Sequence, residues 1–389
     1  MLTLRRSKST AADRPLRVAI VAESFLPQIN GVTNSVVRTI EYLRSNGHQV
    51  LVIAPGPGPD RHGDVQVVRV GAIRLPKYHD VRVGLPIARI TSILRSFRPD
   101  VVHLAAPTVL GAAGIRAAKN LSIPTVAVFQ TDLEGFAKRY KLGVAAPLIR
   151  AWTRSVHSRA SVTLAPSTSS AWTLRAHGVP RVHQWARGVD LQRFSPQHRC
   201  DDLRATLAPR GEMIVGFVGR LAKEKQISRL REVERLPGVQ LVIVGDGPER
   251  TRLEQMLPRA HFTGMLQGDE LGRHYASFDV FVHTGIDETF CQAVQEALAS
   301  GVPVVAPAAG GPLDLVTHGH NGFLWSPEQP SMLAGAVQHL SESPLMRQTL
   351  AHAARPSVEH RPWPVVLAQL LSWYEFAIND GAHVEVLAA

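Results

Sequence analysis

A chain of 389 residues, 45% hydrophobic and 19% charged, is long enough for two domains with separate cores and too apolar for a disordered protein. No apolar run approaches the ~20 residues of a membrane-spanning helix, and two cysteines, Cys200 and Cys291, exclude a disulfide framework and favour a reducing cytoplasm. The net charge of +11 is lopsided: residues 1–199 carry 28 Lys and Arg against 10 Asp and Glu, the remainder 15 against 22. A basic half points to an anionic partner, either nucleic acid or a membrane surface, with a solvated arginine face as the plainer reading.

In chain order, residues 1–16 are basic and polar without an apolar core, which predicts a flexible tail and not a signal peptide. Strand-like runs follow at Val18–Ala22, Val50–Ala54, Asp100–Leu104, Thr125–Phe129 and Ser161–Leu164. Helical spacing, as in Val36, Ile40 and Leu43, fills the gaps between them. This alternation predicts a parallel sheet covered on both faces, over residues 17–199.

Within that half, Asn30-Gly31 follows the first strand and opens a helix. Gly31 lets backbone approach a ligand, and the helix start suits phosphate, although a plain strand–helix turn fits equally. No G-x-G-x-x-G is present, which argues against a dinucleotide site. Ile87, Ile90, Leu94 and Phe97 recur at helical spacing beside Arg89, Arg95 and Arg98. A second basic segment runs from Lys138, Arg139 and Lys141 to Arg150 and Arg154, with Tyr140 and Trp152 interleaved. Both suit an anionic membrane at ~1 kcal/mol per cation, or else core packing with a solvated basic face. After Thr125–Phe129 comes Gln130-Thr131-Asp132-Leu133-Glu134. Gln130 has no base function at neutral pH. Asp132 is the candidate base, and an N-cap role fits it as well.

Periodicity stops in a polar stretch near Pro196–Gly211, and residues 200–211 are expected to form a linker. Strands resume at Met213–Val218, Val239–Val244, Val280–His283 and Val302–Ala306, giving a second doubly wound unit over 212–362. Gly219-Arg220 through Lys225 sets two cations after a strand, a pattern that holds a diphosphate or simply decorates a loop. Gly245-Asp246-Gly247-Pro248 and Gly310-Gly311-Pro312 are further strand-end turns. Glu288-Thr289-Phe290-Cys291-Gln292 leads into a helix expected to begin near Phe290, with Glu296 two turns along it. Those carboxylates would lie ~12 Å apart, a reach that grips both ends of a sugar nucleotide unless they are an ordinary cap and a solvated residue. The helix over Trp363–Ile378, in the terminal segment 363–389, has no strand after it and is expected to cross back to the first domain.

Taken together, these motifs resemble glycosyltransferase family 4, retaining enzymes of GT-B architecture with two Rossmann-like domains facing a cleft. The resemblance rests on Gly219-Arg220-Leu-x-x-Glu224-Lys225, Gly245-Asp246-Gly247-Pro248, Glu288-x7-Glu296, Arg187-Gly188-Val189-Asp190-x-x-x-Phe194 and Ala165-Pro166-Ser167. It implies that Arg220 and Lys225 bind the donor diphosphate, Glu288 the transferred sugar and Glu296 the ribose, with Phe262 to Leu266, including Met265, beside the base. It also implies donor-binding roles for Gly31, Gln130, Gly219, Gly245, Thr289, Phe290 and Cys291. Many relatives carry histidine where this chain has Gln130.

A narrower resemblance, carried by Ala22-Glu23-Ser24-Phe25-Leu26-Pro27, Val182 to Gly188 and Glu288 to Gln292, is to actinobacterial GDP-mannose-dependent α-mannosyltransferases acting on membrane glycolipids. It implies GDP-mannose as donor and a glucuronosyl diacylglycerol or phosphatidylinositol mannoside acceptor, in envelope glycolipid synthesis. The expected enzyme is cytoplasmic, peripheral at the inner face of the plasma membrane. No D-x-D motif occurs, so no metal or other cofactor is expected. Aromatic residues are sparse at 6%, which argues against nucleic acid. The alternatives are a sugar-nucleotide epimerase on the same architecture and a non-catalytic nucleotide-sugar or nucleic-acid binding protein.

Overall fold

The computed structural model describes residues 14–28, 30–75, 78–84, 89–135 and 146–386. The first half contributes β1 (Arg17–Ala22), β2 (Gln49–Pro55), β3 (Arg61–His62), β4 (Val65–Val70), β5 (Ala72–Leu75), β6 (Tyr78–Gly84), β7 (Val101–Ala105), β8 (Thr125–Val128), β9 (Val162–Ala165) and β10 (Val182–Gln184). Eight of these form one sheet in the order β10-β9-β8-β7-β1-β2-β4-β3, parallel except where β3 meets β4, while β5 and β6 form a separate antiparallel hairpin. Val, Ile and Ala occupy both faces of β1, since each face is covered. Val18 and Ile20 look into one core and Ala19 and Val21 into the other.

The second half adds β11 (Met213–Val218), β12 (Val239–Val244), β13 (His261–Gly264), β14 (Val280–Val282), β15 (Val304–Pro307) and β16 (Gly322–Trp325), all parallel, in the order β13-β12-β11-β14-β15-β16. Chain direction across the sheet reverses at β11. A crevice therefore opens between the carboxyl ends of β11 and β14, where α/β sheets take their ligands. The molecule is thus two parallel-sheet α/β domains.

Three features differ from the expectations. Asp100 precedes β7 and is held outside the strand, its carboxylate accepting the Arg17 backbone N–H at 2.8 Å. Segment 200–211 is not a linker: Asp201–Leu207 is a helix, Leu207 is buried in the second domain's core, and Arg204 pairs with Asp279 at 3.0 Å. Its two aspartates sit in the first helical turn, where the dipole favours them. That core also takes in Val189 and Phe194, so the second domain begins to pack before the polar stretch is reached.

The chain passes between the domains twice, side by side. Val189 bridges Pro362 in parallel, and its N–H donates to the Arg361 carbonyl at 3.0 Å. Gly188 allows this approach, because a Cβ there would stand 2.6 Å from the Trp363 backbone. The final helix, Trp363–Val386, then lies on the first domain, with Val366, Leu367, Leu370, Tyr374 and Ala377 buried in the same core as Val18 and Ile20. Trp185 Nε1 donates to the Val366 carbonyl at 2.9 Å. The Tyr374 hydroxyl meets buried His103 Nδ1 at 2.8 Å.

Candidate active site

The turn after β11 is shaped by glycines of the turn after β12. A Cβ on Gly245 (φ +135°) would come 2.0 Å from the Gly219 carbonyl, and one on Gly247 2.4 Å from the Leu221 carbonyl. Only bare backbone lets the two turns lie on each other, tied by Leu221 N–H to the Asp246 carbonyl at 2.9 Å. The paired turns hold Arg220 exposed at the carboxyl end of β11 and start the short 3₁₀ turn Lys223–Lys225.

That turn delivers Lys225 to Glu288, whose Oε1 accepts from the ammonium. Side chains from two different strand ends thus meet, about a quarter and a sixth exposed (24% and 17%). Burial disfavours the Lys225 ammonium, but Glu288, Cys291 and Glu224 outweigh it and the net shift is upward. Burial likewise opposes the Glu288 carboxylate, while Lys225 and His283 hold it well below the usual carboxylate range. Lys225 and Glu288 are therefore a charged pair at neutral pH.

His283 escaped the sequence analysis, where it was only the last residue of a strand. Its ring stacks on Phe217 at 6.3 Å between centroids, and its Nε2 stands 3.2 Å from Glu288 Oε1. Its Nδ1 has no hydrogen-bond partner among the described residues. His283, Glu288 and Cys291 each place one potential metal ligand within 4.8 Å of the others. The Lys225 ammonium bears on the same carboxylate.

The helix expected near Phe290 runs from Gln292 to Ala299, with buried Cys291 at its N-cap in left-handed conformation (φ +79°). Gly310 and Gly311 underlie this loop: a Cβ on either would strike the carbonyl of Glu288 or Phe290, at 2.6 and 2.1 Å. One turn and a half into the helix, Glu296 accepts from the Tyr275 hydroxyl at 3.1 Å. Burial pushes its pKa up to about 7, against the opposing pull of Tyr275 and Gln292.

The first domain closes the other side. Gln130, two residues after β8, gives its carbonyl to the Thr289 hydroxyl at 3.1 Å and its side-chain oxygen to Arg187. Ser170 donates to the Thr289 carbonyl at 3.1 Å, and the Thr168 N–H to Asp314 at 2.6 Å. Gly31 leaves room for Arg187, whose Nη1 would lie 3.0 Å from a Cβ at that position. So the space expected for a ligand at Gly31 holds a guanidinium.

Of the other expected residues, Asp132 accepts the N–H groups of Glu134 and Gly135 at 3.1 and 3.0 Å, the N-cap arrangement. Met265 is exposed and Leu266 half-buried at the end of β13. Ile90 and Leu94 are fully buried in the first domain, leaving Arg89, Arg95 and Arg98 as an exposed basic edge without an apolar face to insert. Ile87, Lys138, Arg139, Tyr140 and Lys141 lie outside the described residues. On the helix Ala146–Ser158, Leu148 and Trp152 are 75% and 44% exposed and one turn apart, while exposed Arg150 and Arg154 point away from them around the helix and Arg150 pairs with Glu134 at 2.7 Å. Among the described residues, no helix is long and apolar enough to cross a membrane.

Residues 29–193 match the family model Glycosyltransferase Family 4, and residues 200–356 match Glycosyl transferases group 1. A GDP-mannose-dependent alpha-mannosyltransferase of Mycolicibacterium smegmatis is 53% identical over 94% of this chain and 98% of its own. A protein of the same name from Corynebacterium glutamicum is 47% identical over 93% and 89%. The structure of HepE from Anabaena, in complex with UDP, superposes with a TM-score of 0.75 at 21% identity, covering 92% of this chain and all of that one.

Proposed function

The chain belongs to glycosyltransferase family 4, and on that premise we propose that it transfers α-mannose, with retention, from GDP-mannose to a membrane glycolipid. It is a hexosyltransferase, of the kind its relatives at 47–53% identity are. The acceptor we propose is of the glucuronosyl diacylglycerol or phosphatidylinositol mannoside type, met by a peripheral enzyme at the inner face of the plasma membrane. The exposed pair Leu148 and Trp152, on the domain carrying the basic excess, supports a lipid surface.

The observation that carries the reading is the convergence of Lys225 and Glu288 at the crevice between β11 and β14. As the sugar–oxygen bond lengthens, negative charge grows on the diphosphate. Lys225, Arg220 and the amides at Phe290 and Cys291 are fixed dipoles and charges that stabilise it without reorganising. Glu288, kept ionised, accepts hydroxyl hydrogens of the sugar, and Glu296 those of the ribose. Met265 and Leu266 flank the base. Asp132, already capping a turn, is the candidate for activating the acceptor. Transfer proceeds without a metal in this scheme, and full turnover in excess EDTA is the expected result.

The test is a panel of nucleotide sugars with a total lipid extract, products read by mass spectrometry. A mannosylated lipid formed from GDP-mannose supports the reading. Conversion of the nucleotide sugar with no acceptor present would mean an epimerase, and GDP-mannose binding without GDP release a non-catalytic binding protein.

A further inference from the structure

Arg187 lies just before the first crossing between domains, and its backbone is anchored to the second: the Arg187 carbonyl accepts from Gln295 Nε2 at 3.1 Å and the Gly188 carbonyl from Gln292 Nε2 at 3.0 Å. Its side chain reaches the other way. The guanidinium lies buried against Gly31 and donates to Gln130 Oε1. Burial lowers Arg187 to about 10, with Glu288 and Glu296 opposing, so it stays charged at neutral pH.

A guanidinium has donors and no acceptor, so the Gln130 amide must turn its oxygen toward Arg187 and its NH₂ away. That NH₂ is buried and finds no acceptor among the described residues. The Gln130 backbone carbonyl meets Thr289, the neighbour of Glu288, and its side chain meets Arg187, which lies within electrostatic reach of Glu288 and Glu296, so the unmet donor stands at the border of the crevice already described. A buried donor lacking a partner destabilises the free protein, and a ligand oxygen relieves it. We infer that Arg187 is a positioning residue: it fixes the polarity of the Gln130 amide so that its NH₂ donates to an oxygen of the donor's sugar-phosphate half. The inference rests on the nucleotide-sugar reading above. It makes the Gln130 side chain a donor toward substrate, a role that Arg187 imposes on an otherwise ambivalent amide.

The full-length protein tests this through Gln130→Glu, Gln130→Met, Arg187→Met and Arg187→Lys, reading melting temperature and the Kd values of GDP-mannose and GDP. Gln130→Glu pairs with Arg187 and keeps or raises the melting temperature, yet weakens GDP-mannose about tenfold, the scale of one lost hydrogen bond. A purely structural role would move stability and binding in the same direction. Arg187→Lys, also donor-only, retains more affinity than Arg187→Met. The double Met variant loses no more than either single one. Equal weakening of GDP locates the ligand oxygen on the phosphate, and sparing of GDP locates it on the sugar. Wild-type affinity in Gln130→Glu, or additive losses in the double variant, overturns the inference alone. A wild type that does not bind GDP-mannose overturns the donor reading and the inference together.

Discussion

Lys225 and Glu288 lie 63 positions apart in sequence and meet as a charged pair at the carboxyl ends of two neighbouring strands. Because each stabilises the other's ionised form, their variants will not behave independently. Lys225→Ala or Glu288→Gln should each lower kcat by roughly 10²–10³, the scale of a lost oxyanion-type donor. The double variant should fall well short of the product of the two. Arg220→Ala should lower kcat to a similar degree by its own contact. Steady-state GDP release checks this, and near-normal turnover in all of them would remove the site.

Glu296 sets a pH dependence for the donor. With a pKa pushed up to about 7 by burial, it is neutral below that value and ionised above it. Ribose hydroxyls donate hydrogen bonds, so they favour the carboxylate and expel its proton. GDP affinity should therefore rise about tenfold from pH 6 to pH 8, with proton release on binding, and Glu296→Gln should flatten the profile. Calorimetry in buffers of different ionisation enthalpy reads both effects; binding that tightens toward acid contradicts the assignment.

Buried histidines make the first domain sensitive to acid. Burial lowers His103 and His157 to about 4 each. An unfolded histidine titrates near 6.5, so the unfolded state binds the extra proton first. Stability is complete above pH ~6.5 and declines as pH falls toward 4, by up to about 1.4 kcal/mol per unit for each histidine. Tyr374→Phe, which removes the hydrogen-bond partner of His103 Nδ1, should cost about 1 kcal/mol at pH 7. Urea unfolding of the first domain at pH 7 and pH 5 measures the slope, and an unchanged midpoint would contradict it.

Membrane attachment should depend on Leu148 and Trp152. Flotation with anionic vesicles is expected to recover the protein at low salt and lose it as salt rises. Leu148→Ser with Trp152→Ser should weaken recovery without changing GDP binding. No flotation at any salt concentration would remove the lipid-surface claim.

The two sheets were legible because their central strands are buried on both faces and read as continuous Val and Ile runs. Edge strands were not: β10, β13 and β16 are three or four residues long, with exposed or half-buried positions that break the pattern. Glu288, Glu296 and Lys225 could be named because charged residues after strands stand out against an apolar background. Arg187, His283 and Tyr275 matter equally to the arrangement, yet each owes its place to a residue far along the chain. Linear spacing holds no trace of such partnerships. The same holds for Asp201 and Asp202, whose polarity suggested a linker while Leu203 and Leu207 faced a core.

The first domain is interrupted: its core includes Val366, Leu370 and Tyr374, beyond the whole of the second domain. On the ribosome, the part translated first is therefore the part completed last. The second domain can close while the amino-terminal sheet still waits, one apolar face incompletely covered, for the final helix to emerge. A nonsense mutation a few turns before the end would spare every residue of the catalytic crevice and still leave a protein liable to aggregate.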